Sequence, residues 1–426
     1  MRVNRVAVVG AGIVGLCTAW WLRQRGLEVT VFERRDQIAA ETSWGNAGVI
    51  APAYVTPWAA PGMPLKVLRS LLSTHSPVRF KPSLQPALWR WLRAWLSECE
   101  LERYRRNKSR MQRLAFHSRG VLHAMRRELQ IEDGRVQGLL QLLRTPRDRR
   151  LVEPARALLA ENQVPHAWLT PDAVYQREPG LSRTCPLEGA LWLPEDESAS
   201  CPQFAQALAR AAIAAGVDIR LQHRVTALRI AGGALQGLSV QTAEGRAENP
   251  GFDAVVVAGA VDALPLLATH GIPLPIWPVK GYSTTLALPD PTRGPAHPMM
   301  DEAFKVAITP LPGQLRLAGT AEIGDHGLAP NPAALRTLIQ VGQDWFGDAV
   351  DWREARCWVG ARPMTPDGPP LLGATPIAGL FLNMGHGSTG WAMAAGSGQV
   401  LADVLTGRPP EIDLEGLTLD RLRGRP

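Results

Sequence analysis

The sequence predicts an α/β protein in which a doubly wound, mostly parallel sheet is interrupted by an inserted α+β domain with an antiparallel sheet. Two patterns of strand, glycine loop and helix support the parallel sheet, one at residues 6–33 and the other at residues 376–407. Between residues 271 and 355 the pattern changes to short strands broken by Pro and Gly. A chain of 426 residues accommodates both domains, because single cores stop growing at roughly 250 to 300 residues.

These patterns also predict how the chain is divided. The parallel-sheet domain is expected in three pieces, residues 1–60, 195–270 and 356–410. The inserted domain is expected in residues 61–194 and 271–355. Residues 411–426 are expected to form a loosely held tail.

The first glycine loop lies in VAVVGAGIVGLCTAWWLRQRGLEVTVFE, residues 6–33, with glycines at positions 10, 12 and 15. Gly10 permits a tight turn, Gly12 lets a pyrophosphate approach the backbone, and Gly15 lets the helix lie close on the strand. The helix N-terminus then faces the phosphates. Glu33 is placed to accept a hydrogen bond from a ribose hydroxyl and would repel a phosphate there, which argues against NADP. This motif predicts dinucleotide binding without choosing between FAD and NAD.

The elements that follow complete both predicted sheets. A loop of small and polar residues at 41–54 precedes basic helices that extend to about residue 130. A strand at 138–144, short helices at 153–162 and 172–178, and a helix leading to strands near Ile219 and beyond Val225 come next. The apolar stretch at 252–260 predicts another buried strand, and GYSTTLAL, KVAITPL and QLRLAGT predict antiparallel ones.

The second glycine loop, GHGSTGW at residues 385–391, stands between a predicted strand and a predicted helix. It places another helix N-terminus in the same crevice as the first, which NAD does not obviously require. A flavin suits it, because a helix start near the carbonyl end of the isoalloxazine stabilises the charge of the reduced ring. A flexible turn without a ligand is the alternative. His386 in this loop either tunes the flavin or has a structural role.

The stretch GARPMTPDGPPLLG, residues 360–373, contains a candidate for substrate binding. Arg362, beside Pro363 on a proline-rich segment, can offer a bidentate guanidinium group to a carboxylate. An ion pair between Arg362 and Asp367 is the structural alternative.

The net charge of +7 is unevenly distributed. Between Lys66 and Arg127 there are 15 Lys and Arg residues but three acidic residues, together with Trp89, Trp91 and Trp95. A basic, aromatic face is typical of contact with an anionic membrane surface or a redox partner. Solvated helices whose tryptophans pack into the core are the alternative. Nucleic acid is not expected as a partner, because no nucleic-acid motif accompanies the charge.

Composition also bears on the cellular location and on disulfide or metal sites. There is no run of about 18 apolar residues and no signal-peptide pattern, which predicts a cytoplasmic location or a peripheral one on the cytoplasmic face of the inner membrane. The five cysteines are odd in number and scattered. Neither a disulfide framework nor a metal site is therefore expected.

These motifs resemble the D-amino acid oxidase-like FAD-dependent oxidoreductases, and within them the quinone-linked bacterial D-amino acid dehydrogenases. The resemblance extends from residue 6 to about residue 405 and is carried by the first glycine loop, ETSWGNAG, TPWAAPG, LQLLRT, PVKGYS, DEAFKVAIT, GARPMTPDG and GHGSTGW. It implies a Rossmann-like FAD-binding domain. It also implies non-covalent FAD, because Gly360 stands where the sarcosine-oxidase branch has a flavin-linked cysteine.

The resemblance further implies which residues form the site. Arg362 is expected to clamp the substrate carboxylate, Tyr54 and Tyr282 to help hold the substrate, and His386 to lie at the flavin. The cofactor-binding residues that it implies are Val9, Gly10, Ala11, Gly12, Ile13, Val14, Gly15, Glu33, Arg34, Thr42, Ser43, Asn46, Ala47, Gly48, Val225, Ala258, Gly259, Gly385, Gly387, Ser388, Thr389 and Gly390.

The implied activity is oxidation of a D-amino acid to an imino acid, which water hydrolyses to a 2-oxo acid and ammonia, with electrons passing to a quinone or another non-oxygen acceptor. A dehydrogenase for cyclic D-imino acids such as D-proline, with Trp44 as a pocket wall, and an oxygen-using oxidase stay open. Trp44-Gly45 stands where the resemblance predicts Phe-Ala, and Val49 where it predicts a polar residue, so the preferred side chain is not fixed. Arg362 and both loops argue against a binding protein without catalysis.

Overall fold

The computed structural model describes residues 3–70, 77–324 and 327–422. The strands are β1 (Arg5–Val9), β2 (Glu28–Phe32), β3 (Val49–Ile50), β4 (Val78–Phe80), β5 (Val136–Leu143), β6 (Ala167–Leu169), β7 (Gly189–Ser198), β8 (Asp218–Arg220), β9 (Arg224–Ala231), β10 (Ala234–Gln241), β11 (Ala247–Glu248), β12 (Ala254–Val257), β13 (Trp277–Ala287), β14 (Met299–Asp301), β15 (Val306–Leu311), β16 (Gln314–Ile323), β17 (Trp358–Met364), β18 (Leu371–Ala374) and β19 (Leu380–Met384).

The α-helices are α1 (Ile13–Gln24), α2 (Met63–Ser70), α3 (Pro86–Ser97), α4 (Leu101–Leu129), α5 (Pro146–Glu161), α6 (Pro171–Arg177), α7 (Cys201–Ala214), α8 (Leu264–Ala268), α9 (Pro332–Phe346) and α10 (Gly390–Thr406). In the three described ranges, no helix is both long enough and apolar enough to cross a membrane.

The first sheet has six strands in the order β18, β19, β12, β1, β2, β8. Its strands are parallel except β18, which pairs antiparallel with β19 at one edge. The predicted parallel sheet is therefore confirmed. Because β1, β2, β12 and β19 run in one direction, their carboxyl ends meet at a single edge of the sheet.

Both faces of this sheet are covered, which explains its continuous apolar strands. Val6 and Val8 of β1 pack with α1, α4, α7 and α10. Ala7 and Val9 point the other way, toward α8 and the three-stranded sheet formed by β9, β10 and β11. The side chains of β12 are completely buried for the same reason.

The second large sheet follows the order β17, β13, β16, β15, β14, β5, β7, β3, with β4 paired to β16 and β6 to β7. Most of its pairs are antiparallel, as predicted, and β14–β5 and β16–β4 are parallel. Helix α9 covers one face through Leu338, Val341 and Trp345, none of which is exposed. Strand β17 belongs to this sheet although the predicted division at residue 356 assigns it to the other domain; the division itself stays a prediction.

The prediction of a loosely held tail is wrong for residues 411–422. Leu372 donates its backbone N–H to the carbonyl of Leu417 at 2.7 Å, and the Leu417 side chain is fully buried. Arg421 forms a buried ion pair with Asp367 at 2.9 Å. These contacts fix the segment along β18; residues 423–426 lie outside the described part of the chain.

Candidate active site

The shared carboxyl edge of the six-stranded sheet brings together the predicted cofactor-binding segments. The residues that follow the four central strands are Gly10 after β1, Glu33 after β2, Ala258 after β12 and Gly385 after β19. Ala258 donates its N–H to the carbonyl of Val9 at 3.0 Å, so the ends of β12 and β1 are directly joined. The structure therefore forms one crevice from segments about 370 residues apart.

The first glycine loop is held by close backbone contacts. Gly10 has a φ of +103°, and its N–H donates to the carbonyl of Phe32 at 2.8 Å. A Cβ at Gly10 would lie 3.0 Å from the Cα of Gly259. A Cβ at Gly15 would lie 1.9 Å from the carbonyl oxygen of Gly10, so only glycine fits where α1 crosses the loop.

The N-terminus of α1 opens into the crevice, and its N-cap residue, Gly12, has no side chain that could cap the helix. Ile13 donates its N–H to the hydroxyl of Ser43 at 3.0 Å, and Ala11 donates to the carboxylate of Glu33 at 2.8 Å. A Cβ at Gly12 would meet only the Ser43 hydroxyl, at 3.4 Å. This geometry suits a pyrophosphate at the helix start, where unpaired backbone N–H groups favour an anion.

Beside the loop, Glu33 anchors the end of β2. Its carboxylate also accepts the backbone N–H of Arg35 at 2.9 Å, and its carbonyl accepts the N–H of His223 at 2.8 Å. This contact brings the start of β9, which contains Val225, beside Glu33. The positive charge of Arg34 is neutralised by an ion pair with Asp262 at 2.7 Å.

Residues 42–48 connect the crevice to the second sheet. Ser43 is buried against the start of α1, whereas the carbonyl of Ala47 accepts the hydroxyl of Thr309 at 2.6 Å. Gly48 has a φ of +80°, and a Cβ there would lie 2.9 Å from the carbonyl oxygen of Ala199. Thr42 begins the segment and is half-buried. The cofactor-binding residues predicted in this segment thus lie between the two sheets.

The second glycine loop packs against the end of β17. His386 forms a β-bridge with Met364. Gly385 and Gly387 have φ values of +79° and +58°, and Cβ atoms there would lie 2.8 Å from Thr365 and from the sulfur of Met364, respectively. The N-cap residue of α10 makes no side-chain capping hydrogen bond, so a second helix start opens at the crevice edge.

His386 is buried, and its Nε2 lies 3.1 Å from the hydroxyl of Ser397. Burial lowers the pKa of His386 to about 3. The imidazole is therefore neutral at physiological pH, and it cannot supply a positive charge to a neighbouring ring.

Arg362 lies on β17 with its side chain half-buried. Its Nη1 donates to the carbonyl of Thr320 at 3.1 Å, and its guanidinium carbon lies 5.6 Å from the centre of the Trp58 ring. No carboxylate pairs with Arg362 among the described residues, and desolvation lowers the pKa of Arg362 to about 10. A desolvated guanidinium without a counter-ion suits a carboxylate ligand.

The alternative ion pair with Asp367 is not formed. Asp367 is fully buried and is bound by Arg421 instead. Trp58 donates its indole N–H to the hydroxyl of Ser388 at 3.2 Å, so the ring that contacts Arg362 also contacts the second glycine loop.

Two features that sequence analysis missed position the Arg362 side chain. A Cβ at Gly281, on the neighbouring strand β13, would lie 2.5 Å from the guanidinium carbon. Thr320 is the extra residue of a β-bulge in β16 and has a φ of +48°, which is rare for a β-branched residue. Its carbonyl accepts the hydrogen bond from Arg362. A glycine in the middle of a strand, within PVKGYS, was the available signal.

The structure does not bring Tyr282 to the same face as Arg362, which corrects the expectation for this residue. Side chains alternate along a strand, and the guanidinium lies on the Cβ side of Gly281. Tyr282 points to the opposite face, where its hydroxyl donates to Glu322 at 3.1 Å beneath α9.

Tyr54 is half-buried and has a cationic neighbour. Lys305 donates to its hydroxyl at 3.4 Å and also forms an ion pair with Glu302. Burial raises the pKa of Tyr54 to about 12, with Lys305 acting in the opposite direction. Sequence analysis missed both charged residues, although they stand in DEAFKVAIT.

The register of β15 and β16 relates this group to Arg362. Val306 pairs with Gly319, so Lys305 lies beside Thr320 across the ladder. Thr320 in turn holds Arg362 through its carbonyl. Tyr54 and Arg362 are therefore both connected to the bulge, Tyr54 through Lys305 and Arg362 through the carbonyl of Thr320.

Comparisons with known proteins give the family and the fold of this chain. The sequence profile of the family described as FAD dependent oxidoreductase, or DAO, matches residues 5–404. A D-amino acid dehydrogenase of Rhizorhabdus wittichii is 43% identical, over 98% of this chain and 100% of its own. One of Vibrio vulnificus is 40% identical, over 98% and 99%. Among solved structures, glycine oxidase from Geobacillus kaustophilus shares the fold, with a TM-score of 0.76 and 24% identity over 98% of both chains.

Proposed function

This chain belongs to the DAO family of FAD-dependent oxidoreductases, and we propose that it is a D-amino acid dehydrogenase. The names of its relatives support the substrate class. The observation that carries the proposal is Arg362, a desolvated guanidinium that has no carboxylate partner within the described residues. An α-carboxylate would complete this site.

The residues present fit FAD. Two helix starts whose N-cap residues make no side-chain capping hydrogen bond open at one crevice, and the space beside Gly12 is free of backbone. Glu33 stands at the end of β2, where a ribose would lie in a fold of this kind. We propose that FAD binds without a covalent bond, because Gly360 offers no thiol beside Arg362.

When bound at the two helix starts, FAD would supply the acceptor for the hydride on Cα of the substrate, and water would hydrolyse the imino acid product to a 2-oxo acid and ammonia. Arg362 fixes the carboxylate of the substrate, which orients its α-hydrogen. Tyr54 can donate a hydrogen bond from its hydroxyl, because Lys305 already donates to the phenolic oxygen. Positioning by these groups is the protein's main contribution.

The test is the visible spectrum of the FAD-loaded protein without oxygen. D-alanine is expected to bleach the flavin band, and peroxide is expected to stay absent when turnover is repeated in air with an artificial dye as acceptor. Peroxide formation in air would favour an oxidase. A flavin band that no D-amino acid bleaches would overturn the substrate class and leave the cofactor assignment intact.

A cyclic D-imino acid such as D-proline is the second candidate, and one observation favours it. Trp58 contacts Arg362, and Trp358 lies on the same face of β17 and packs on Gly45. Two aromatic side chains near Arg362 suit the apolar ring of a cyclic substrate. Trp44, the wall expected from the sequence, is 44% exposed. Faster bleaching by D-proline than by D-alanine selects this candidate.

For the electron acceptor, we propose a quinone reached at an anionic membrane surface through α3. Trp89 and Leu96 on this helix are 51% and 52% exposed, and Leu84 just before it is 99% exposed. Arg90 and Arg93 lie beside them and have no ion pair within the described ranges. Exposed apolar side chains among arginines favour the interface of an anionic bilayer.

The rest of the basic segment has other contacts. Trp91 and Trp95 are buried, and Trp91 donates its indole N–H to the carbonyl of Met364 at 2.8 Å. Arginines of α4 pair with acidic residues elsewhere, as Arg119 does with Glu195 at 2.8 Å. Residues 71–76 and the side chain of Lys66 lie outside the described part. The proposed contact surface is thus narrower than the charge pattern suggests.

Replacing Trp89 and Leu96 together with serine is expected to lower retention on phosphatidylglycerol vesicles about 30-fold, since each exposed apolar side chain contributes on the order of 1 kcal/mol. Co-sedimentation at low salt measures this. Leu151→Ser is the matched control, because Leu151 is 58% exposed on α5, away from this surface. If the wild-type protein is not retained at low salt, α3 is an ordinary solvated helix.

The variant Gly281→Ala is expected to raise KM for D-alanine about tenfold, or about 1.4 kcal/mol, because the added methyl displaces the guanidinium of Arg362. Steady-state kinetics and FAD titration measure the two functions separately, and FAD affinity is expected to stay unchanged. Gly251→Ala is the control, since a Cβ there meets nothing closer than 3.6 Å. An unchanged KM would show that Arg362 does not need this position.

A further inference from the structure

Arg316 on β16 is a second buried guanidinium without a counter-ion. Only 8% of the residue is exposed, and desolvation lowers the pKa of Arg316. Other buried arginines are paired: Arg126 binds Asp133 at 2.8 Å and Arg421 binds Asp367 at 2.9 Å. No described carboxylate pairs with Arg316. A buried, uncompensated charge costs several kcal/mol, which points to a function for it.

The guanidinium of Arg316 is instead directed at one backbone segment. Its Nη1 donates to the carbonyls of Trp44 and Asn46 at 3.1 and 2.8 Å, and its Nε donates to the hydroxyl of Thr285 at 2.8 Å. The next carbonyl, that of Ala47, accepts the hydroxyl of Thr309. Side chains of the second sheet therefore donate hydrogen bonds to three of the carbonyls in residues 44–47.

This arrangement leaves the amide side of the segment available. The N–H groups of Asn46 and Ala47 have no hydrogen-bond acceptor among the residues that the structure describes. Asn46 and Ala47 are half-buried, and a ligand bound in the crevice can accept hydrogen bonds from these two donors. The segment begins at Ser43, beside the start of α1, and Gly45 packs on Trp358, whose strand carries Arg362.

We propose that Arg316 is a positioning residue that turns the amides of residues 46 and 47 toward the flavin, and that its charge stabilises the negatively charged reduced ring. This inference rests on the proposed function, since it requires bound FAD. Electrostatic stabilisation through a dry protein interior is effective because water does not screen it. His386, which is neutral, cannot replace this charge.

The test compares Arg316→Met with the wild-type protein by FAD titration of the apoprotein and by the flavin midpoint potential, measured with a reference dye and without any amino acid. Arg316→Met is expected to bind FAD at least tenfold more weakly. Its two-electron reduction equilibrium is expected to fall at least tenfold, which is about 30 mV. Arg316→Lys keeps the positive charge but loses the planar guanidinium with its several N–H donors. This variant is expected to keep the potential nearer to the wild-type value.

Thr309→Val is the matched control, because it releases the carbonyl of Ala47 without changing charge. It is expected to weaken FAD binding and to leave the midpoint potential unchanged. An unchanged potential in Arg316→Met overturns the inference, and so does an equal fall in Thr309→Val. If Arg316→Met does not fold, Arg316→Gln, which also removes the charge, replaces it in the same measurement. A wild-type protein that binds no FAD, or whose flavin no D-amino acid reduces, contradicts the proposed function instead.

Discussion

Replacing Arg362 with methionine is expected to lower kcat/KM for D-alanine by about 30-fold or more. Loss of one partner from a buried, hydrogen-bonded charge pair costs roughly 2 to 5 kcal/mol, and 1.4 kcal/mol corresponds to tenfold. The loss should appear mainly in KM, because Arg362 is proposed to hold the carboxylate and its contacts are with Thr320 and Trp58, outside the two glycine loops. Steady-state kinetics, with FAD content measured by absorbance, tests this.

The stability of Arg362→Met should not fall. In the free protein this guanidinium is desolvated without a counter-ion, so its removal relieves a cost. Arg421→Met is the matched control, since it takes from buried Asp367 its arginine partner and should lower the melting temperature without changing KM. If Arg362→Met keeps the wild-type KM, the carboxylate is bound elsewhere, and the proposed substrate site is wrong.

The cofactor crevice was predictable because its signals are local in sequence. Gly10 and Gly15 are only five residues apart, and their contact is dictated by backbone sterics at the turn. The parallel order of β1, β2 and β12 follows from apolar strands that alternate with helices. Even the second loop could be placed, because a strand that rejoins such a sheet ends at the same edge.

The support of Arg362 was not predictable, because it depends on the register of three strands that are distant in sequence. Thr320 reaches Arg362 through a bulge that shifts β16 by one residue against β13. The same register explains the error at Tyr282: a shift of one position along a strand reverses the face, so a tyrosine beside Gly281 points away from the guanidinium. The amino-acid composition of a strand does not indicate which face of the sheet a given side chain will occupy.

The distribution of basic residues in the sequence did not indicate which of them would be exposed in the fold. The excess of arginine and lysine between residues 66 and 127 suggested one continuous basic face. In the fold, Arg110 of α4 pairs with Glu415 and thereby fixes the C-terminal segment, whereas Arg90 and Arg93 of α3 stay exposed. Arg110 and Glu415 are 305 residues apart in the sequence, so no local pattern indicates that they pair.

The variant Gly15→Ala is expected to lose FAD binding and to lower the free energy of unfolding by about 1 to 3 kcal/mol, the usual cost of overpacking. Its methyl group would lie 1.9 Å from the carbonyl oxygen of Gly10, so α1 must move away from the loop that it holds. Chemical denaturation with and without FAD measures both effects, and added FAD should not restore stability, because the helix start no longer faces the pyrophosphate.

Gly120→Ala is the matched control for this variant. Gly120 lies within α4, and a Cβ there meets nothing within 4 Å. Alanine should therefore stabilise the protein by about 0.5 to 1 kcal/mol through helix propensity and leave FAD affinity unchanged. If Gly15→Ala behaves like Gly120→Ala, the contact between α1 and the loop relaxes at little cost. The glycine spacing would then reflect approach of the cofactor alone, and Gly12 would be the position at which a methyl group excludes it.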